Sequence, residues 1–405
     1  MKITDIKYAM LDANPTIRIT TDEETDGLAQ IETMKPYLEP VIGFYKNRII
    51  GTDPRDVARV MARIRNLGSF KPWGSAISAI EMALWDLAGK AQGVPVYRLL
   101  GGKVRDKVRC YCGGAGPQME GYEPEDYAKR AEAVLALPHG FDIMKFGLGL
   151  YIFAEKPEGM FLGEVPEMIP GPHTHIGGGF KPIRGQLTER GLNHLVRCAE
   201  AAKNAVGDKC GIAFDCGPKH TLISAMRLAK ALEPLNVMWL EDTLTGDYTP
   251  YNAVEAYRLL SDSTLTPIHT GEQVYLRQGF QELIERHAVD IVGPDPCDVG
   301  GIAELKWIAE YAALHDILMA PHGVYNGPIG IASLVHVGAT MPEENYLAFE
   351  LPRLTPLSEE LVNGLPKPLV RQSCIQVWDR PGLGVELTEQ AVRRHLGEKA
   401  EAFLA

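Results

Sequence analysis

The chain is poor in what a membrane or a nucleic acid would require. Nowhere do about 18 apolar residues run together, which excludes a helix of membrane-spanning length. Positive charge is in deficit, with 41 lysines and arginines against 52 aspartates and glutamates and a formal net charge of -11. No basic field is left to attract phosphate or an anionic bilayer, so nucleic-acid and membrane partners are not expected. Behind the lysines of MKITDIKYAMLDANP there is no apolar core of signal-peptide length, and a cytoplasmic protein is the expectation. The cysteines (Cys110, Cys112, Cys198, Cys210, Cys216, Cys297 and Cys374) are odd in number and lack CxxC spacing. That excludes a disulfide frame or a thiolate zinc site and leaves reduced, buried thiols. No repeat or low-complexity tract is visible. The glycine triplet near residue 178 is not followed by Gly-Lys-Ser/Thr, so it is no phosphate cradle.

What is present suits a globular protein acting on a small molecule. The 405 residues, 45% hydrophobic and 23% charged, are enough for two or three units or for one large barrel with an appendage. Short runs of alternating apolar and polar residues over 1–50 predict a small antiparallel sheet. In AISAIEMALWDLAGK (76–90), Ile77, Ile80, Leu84 and Leu87 fall on one helical face, and LLGGK closes the unit. From about residue 105 the rhythm changes to short apolar runs separated by longer helical patterns. The runs are RCYCGG, FDIMKFG, CGIAFDCG, NVMWLED, TPIHTGEQ, VDIVGPD, DILMAPHG and NYLAFE. Strands alternating with helices pair in parallel through right-handed crossovers, and eight of them predict a closed barrel. The long Pro- and Gly-rich stretch over 150–188 predicts an ordered excursion over the barrel mouth or into a subunit contact, and a homo-oligomer is expected.

Acids recur where such strands end. Asp215 closes GIAFD, Glu241 closes VMWLE and Glu272 closes PIHTGE. In a parallel barrel the C-terminal ends of all strands meet at one rim, so these three converge whatever their spacing in the chain. Single strand-end acids often cap the next helix. Three in successive strands would repel in a low dielectric, so at least one must take a proton or all three need a cation, and a divalent metal resolves the conflict. An all-oxygen set selects a hard ion, Mg2+ first and Mn2+ second. Asp295 in GPDPCDVGG and His322 in APHG follow the next two runs, close enough for the carboxylate to hold one imidazole nitrogen while the other moves a proton. Lys145 in IMKFG and Glu350 in NYLAFE occupy the rim as well. Lysine there can neutralise a substrate carboxylate or developing negative charge, whereas Glu350 has a plain helix cap as its alternative. His220 is a candidate for substrate contact, and His173 and His175 reach the site only if the excursion folds over it. Arg18, Lys71 and Trp73 are assigned from their loops as further substrate-binding candidates. Together these groups favour removal of a proton next to a carboxylate, with the ion binding the acid group and stabilising the enediolate.

These residues resemble the enolase superfamily, within it the mandelate racemase branch, over nearly the whole chain. AISAIEMALWDLAGKAQGVPVYRLLGGKVRDKV resembles the stretch joining cap to barrel in that family, and PGLGVEL resembles its C-terminal signature. The resemblance implies an α/β protein, a modified (β/α)8 TIM-type barrel with an α+β cap built from both chain ends. The expected division is 1–125 for the N-terminal cap, 126–355 for the barrel and 356–405 for a tail packing back on the cap. It also implies metal ligands at Asp215, Glu241 and Glu272, a dyad at Asp295 and His322, and an electrophilic acid at Glu350. The chain departs from the racemase pattern in one place that bears on the reaction. Where family racemases carry Lys-x-Lys on the second strand, Gly147 stands in place of the second lysine. Inversion needs a proton donor on each face of the enediolate, whereas dehydration can use one residue as base and then as acid. Gly217 likewise replaces the third-strand histidine of galactonate-type relatives, and Asp295 stands where amino-acid epimerases have lysine.

The first expectation is therefore a Mg2+-dependent dehydratase turning an aldonate or aldarate, a small-molecule carboxylate, into its 2-keto-3-deoxy product. The second is a racemase, epimerase or cycloisomerase of a hydroxy acid on the same scaffold. A non-catalytic barrel binding metal and a carboxylate is the third, and the intact Asp295 and His322 count against it.

Overall fold

The structure is a computed structural model that describes all residues except 34, 66–73, 149–158, 163–185, 218–219, 245–252 and 324–325. Lys71, Trp73, His173, His175 and most of the 150–188 excursion lie outside the described residues.

The N-terminal sheet is antiparallel, in the order β1 (Ile3–Leu11), β2 (Asn14–Thr21), β3 (Asp26–Gln30). It ends earlier than the alternation over 1–50 suggested, because α1 (Glu39–Ile49) follows, with Ile42, Tyr45 and Ile49 buried. Then come α2 (Val57–Arg65) and α3 (Gly74–Gln92). The four expected core residues of α3 are at most 1% exposed, and each such burial contributes about 1.5–3 kcal/mol. The helix differs from a surface amphipathic helix, however. Ser75, Ser78, Glu81 and Asp86 are buried too, because α3 is wedged between the cap sheet and the barrel.

The barrel strands are β4 (Lys107–Cys112), β5 (Ile143–Gly147), β6 (Gly211–Asp215), β7 (Trp239–Glu241), β8 (Ile268–Thr270), β9 (Ile291–Val292), β10 (Leu318–Met319) and β11 (Phe349–Leu351). From β4 to β10 each pairs in parallel with the next, and β11 pairs in parallel with β4. The Met319 amide donates to the Asn345 carbonyl (2.7 Å) and the Leu347 amide to the Met319 carbonyl (2.9 Å), which closes the ring just before β11. The crossovers carry α4 (Pro124–Leu135), α5 (Glu189–Val206), α6 (Leu222–Leu232), α7 (Val254–Ser261), α8 (Leu276–Glu285), α9 (Ile302–Ala313) and α10 (Pro328–Gly338). The first barrel strand thus lies before the boundary expected at residue 125.

The tail has two destinations. Its strand β12 (Cys374–Gln376) pairs antiparallel with β4. Its last helices, α11 (Glu389–Leu396) and α12 (Lys399–Leu404), reach the cap sheet, where His395 Nε2 accepts from the Asp12 amide at 3.2 Å. All the cysteines are free thiols, and only Cys374 is not fully buried. Among the described residues no helix is long and apolar enough to cross a membrane.

Candidate functional site

The site follows from strand periodicity. Tyr111, Ile143, Ala213, Trp239, Ile291, Ala320 and Ala348, each on or one residue beside a different one of seven strands, form an apolar layer distinct from the main core. On the eighth strand, β8, the His269 ring lies 5.5 Å from Trp239. Side chains alternate across a strand, so the residues two positions further on share the barrel interior one level nearer the rim. Those residues are Gly113, Lys145, Asp215, Glu241, Gly271, Gly293, His322 and Glu350. Five carry functional groups and three are glycines. At two of the glycines the need for space is direct. A Cβ on Gly113 would lie 1.9 Å from Glu350 Oε1, and one on Gly293 would lie 2.2 Å from His269 Nε2.

Lys145 is the hub of one half of this level. Its Nζ lies 2.5 Å from Glu241 Oε1, 3.1 Å from the Glu350 carboxylate and 3.9 Å from Asp215 Oδ2. Burial alone would pull the ammonium down, but Glu241, then Glu350, overcome this and hold it well above the usual lysine range. The reciprocal effect is seen on Glu241. Burial pushes its carboxyl up, yet Lys145 and then His269 bring it to about 2, and Trp239 Nε1 donates to Oε2 at 2.9 Å. Asp215 is less well compensated. Burial, together with the charges of Glu241 and Glu350, outweighs Lys145 and leaves it at about 6, although its Oδ1 accepts from the Gly217 amide at 2.8 Å.

His322 is the hub of the other half. Its Nδ1 lies 2.7 Å from Asp295 Oδ2. A carboxylate can only accept, so Nδ1 carries the hydrogen and Nε2 is the nitrogen turned to the rim. Asp295 is itself fixed by the Cys297 amide (2.7 Å) and by Asn326 Nδ2 (3.3 Å). Nε2 lies 3.0 Å from Glu272 Oε2 and 3.6 Å from Glu350 Oε2. Burial pulls the imidazole down, but Glu272, Asp295 and Glu350 raise it well above the ordinary histidine range.

Asp215, Glu241, Glu350, Lys145, Asp295, His322 and Glu272 are therefore brought to one rim. Among the described residues, the all-carboxylate group whose donor atoms come close together differs from the expected one by one member. Donor atoms of Glu241, Asp242 and Glu272 all lie within 4.8 Å of one another. Asp242 sits at φ +48°, with Oδ1 accepting from Thr270 Oγ1 at 2.8 Å. Its clue in the sequence is the adjacent acid pair of LEDT. A hard divalent cation fits this donor chemistry, because the acids crowd together in a buried site and offer only oxygen.

Two substrate-binding candidates among the described residues sit elsewhere in the fold or in a different environment. Arg18 lies mid-strand in β2, with Nε 2.5 Å from Asp26 and NH1 donating to the Phe403 carbonyl (3.2 Å) and that of Leu404. It is drawn to the neighbouring strand and the C-terminal tail rather than to the rim. His220 is buried in the loop after β6; its amide donates to the Thr243 carbonyl (3.2 Å), and burial pushes its imidazole down to about 4. Glu32, Lys35 and Asp298 carry no rim signature in the sequence, yet the fold places them against the dyad.

A ring of eight parallel strands joined by seven helical crossovers, whose strand ends deliver four carboxylates, a lysine and a histidine-aspartate pair beneath an α+β cap, has the architecture of the enolase superfamily. The comparisons agree. Residues 128–391 match the family described as Enolase C-terminal domain-like, and residues 15–101 match the Mandelate racemase / muconate lactonizing enzyme N-terminal domain. The chain belongs to this mandelate racemase and muconate lactonizing enzyme family. It is 32% identical to a D-xylonate dehydratase of Haloferax volcanii, over 99% of this chain and 90% of that protein. Identity to a D-mannonate dehydratase of Caulobacter vibrioides is 27%, over 95% and 92%. Among solved structures it is similar to a mandelate racemase/muconate lactonizing enzyme-like protein from Rubrobacter xylanophilus, with a TM-score of 0.80, 32% identity and 97% of both chains covered.

Proposed function

We propose that the protein is a Mg2+-dependent sugar-acid dehydratase, a hydro-lyase that converts an aldonate or aldarate to its 2-keto-3-deoxy acid. The observation that carries this reading is His322, with Nδ1 on Asp295 and Nε2 among the rim carboxylates, while Gly147 offers no base of its own on β5. One proton-moving residue on one face suits loss of water better than inversion. The names of the relatives, D-xylonate, D-galactonate and D-mannonate dehydratases, support the same class.

Asp215, Glu241 and Glu272 would hold the metal. Asp215 is preferred to Asp242 as third ligand because its carboxyl, left at about 6, lacks a full countercharge, whereas Asp242 is committed to Thr270. When bound, the ion supplies charge that acidifies the carbon next to the substrate carboxylate and relieves Glu272's hold on the His322 proton. Neutral His322 takes the proton from that carbon through Nε2, and Asp295 holds the ring as it becomes an imidazolium. Lys145 and Glu350 face the carboxylate end of the substrate, the lysine as countercharge and the acid as hydrogen-bond partner. The bond to the β-hydroxyl then breaks. The departing oxygen takes the proton back from Nε2 and leaves as water, and the resulting enol tautomerises to the 2-keto acid.

The test is a sugar-acid panel containing D-xylonate, D-mannonate and D-galactonate, assayed for 2-keto products by semicarbazide with Mg2+ and with EDTA. Turnover that needs the metal and vanishes in His322→Asn, with Mn2+ binding retained, is the expected result. Exchange of the α hydrogen in deuterated water without loss of water would mark an epimerase instead. Substantial turnover by His322→Asn would mean that another group is the base.

A further inference from the structure

The rear of the base faces a second charged cluster, supplied by the cap. Just past β3, Glu32 is buried (4% exposed), with Oε1 3.5 Å from His322 Nδ1 and Oε2 2.7 Å from Lys35 Nζ. Lys35 Nζ also reaches Asp298 Oδ1 (2.5 Å), in the barrel loop that carries Asp295, and Ser75 Oγ (3.0 Å), at the start of α3. Glu32, Asp295 and His322 place donor atoms within 4.8 Å of one another. A cation is not what this group calls for, because Nδ1 already donates to Asp295 and Lys35 already supplies the positive charge. What needs explaining is Glu32 Oε1, a buried oxygen with no hydrogen-bond partner, at the edge of the imidazole that Asp295 grips.

We propose that Glu32 is a positioning residue for His322: with Asp295 it flanks the rear edge of the ring, so that Nε2 stays aimed at the substrate carbon only when the cap segment is seated on the barrel. Two observations separate position from charge. Lys35 is bound to Glu32 and offsets its charge, and burial, then Asp298, push the Glu32 carboxyl up to about 8, further weakening it as an anion. Shape and polarity remain. A ring whose Nδ1 is gripped by one carboxylate can still swivel about that hydrogen bond, whereas a ring whose Nδ1 corner is flanked by Asp295 at 2.7 Å and Glu32 at 3.5 Å is hemmed in from two sides, and small misplacement of a base is expensive in rate. Lys35 is the latch in this arrangement, because it ties Glu32 to Asp298 on the same loop as Asp295. Alignment of the base and docking of the cap thereby become one event.

The inference rests on His322 being the base of the proposed dehydratase, and its test separates the two. Glu32→Ala and Lys35→Met, as full-length protein with Mg2+, are expected to lose roughly ten- to hundredfold in kcat on the panel acid that the wild type dehydrates, with KM within about twofold. Glu32→Gln, which keeps shape and an acceptor, is expected to stay within about threefold of wild type. Thermal melts identify a variant that has simply unfolded. A second readout needs no substrate: in 15N-histidine-labelled protein, the Nδ1 proton signal assigned to His322 by its loss in His322→Asn should broaden in Glu32→Ala and Lys35→Met and persist in Glu32→Gln. Undiminished kcat with an unchanged signal in folded Glu32→Ala overturns the inference. A rise in KM alone, which would make Glu32 a substrate contact, overturns it, and so does equal damage from Gln and Ala. If no panel acid turns over but the signals behave as expected, the dehydratase reading fails while the positioning of the ring by Glu32 stands.

Discussion

Replacing Lys145 by methionine removes the only ammonium recorded in contact with Asp215, Glu241 and Glu350 among the described residues, while keeping a side chain of similar length. At an effective dielectric of about 20, contacts of 2.5 and 3.1 Å to Glu241 and Glu350 correspond to gross attractions on the order of 5 kcal/mol each. Desolvation of the ammonium offsets much of this, and removing one partner of a buried charge group typically destabilises by about 3–5 kcal/mol. The effect depends on pH in a definite direction. In the wild type Glu241 is depressed to about 2, so its stabilising contribution is complete above its unfolded value and is lost as pH falls from there toward 2. Without Lys145 the same carboxyl is raised by burial and by its acidic neighbours, so the variant is penalised increasingly as pH climbs from the unfolded value up to that raised one. The gap between wild type and Lys145→Met should therefore widen from pH 5 to pH 8 in EDTA, as read from urea denaturation. Saturating Mg2+ should close part of it, because a ligand that binds only the folded protein stabilises it. A gap of under about 1 kcal/mol at pH 8, or one that narrows as pH rises, would refute the reasoning.

The third metal ligand can be found by calorimetric Mn2+ titration: Asp215→Asn should weaken binding at least roughly tenfold and Asp242→Asn by less than threefold, and the reverse order would transfer the ligand role to Asp242. Gly113→Ala should push the Glu350 carboxylate off Lys145, since the new Cβ would lie 1.9 Å from Oε1; kcat should fall by about ten- to hundredfold with little change in melting temperature, and unaltered turnover would show that Glu350 moves freely. His336 accepts from the Tyr97 amide through Nδ1 (3.4 Å) and donates through Nε2 to the Leu383 carbonyl (3.1 Å), with burial holding it at about 4. Its folded value is depressed, so about 3 kcal/mol of stability should be present above pH 6.5 and lost as pH falls toward 4. Urea midpoints at both pH values should show His336→Asn losing less on acidification than the wild type, and equal losses would remove His336 as the cause.

The site was legible in the sequence wherever it obeyed the strand period. Lys145, Asp215, Glu241, His322 and Glu350 each stand two residues beyond an interior residue, so recognising the strands was enough to find them. Glu272 and Asp295 lie two and three residues past the ends of β8 and β9. Their place on the rim is legible because any residue just beyond a strand's C-terminal end belongs to it. Arg18 was misplaced because its position within β2 turns it toward Asp26, a contact set by the register of β2 on β3, which the sequence does not display. Glu32, Lys35 and Asp298 were invisible for a related reason. Their proximity to His322 depends on how the cap lies on the barrel, and no local pattern encodes that docking.

The motif that carried the family resemblance does a different job from the strand-end residues. In IEMALWDLAGK, Glu81 accepts from the Ile302 amide (2.7 Å) and the Ala303 amide (2.9 Å), the first free donors of α9. Asp86 accepts from the Leu28 amide in the cap sheet (2.9 Å) and the Leu383 amide in PGLGVEL (2.7 Å). One helix thus joins the cap sheet, the C-terminal signature and a barrel helix, which explains why two distant stretches of sequence carry the same resemblance. The link to chemistry is direct. The loop from Gly293 to Gly301, bearing Asp295 and Asp298, ends at the N-terminus of α9, so the cap on that helix also anchors the loop. Loss of a helix cap ordinarily weakens a helix by about 0.5–2 kcal/mol. Here it would also loosen the Asp295 carboxylate held against His322 Nδ1, so Glu81 is coupled to the proposed base through the loop between them.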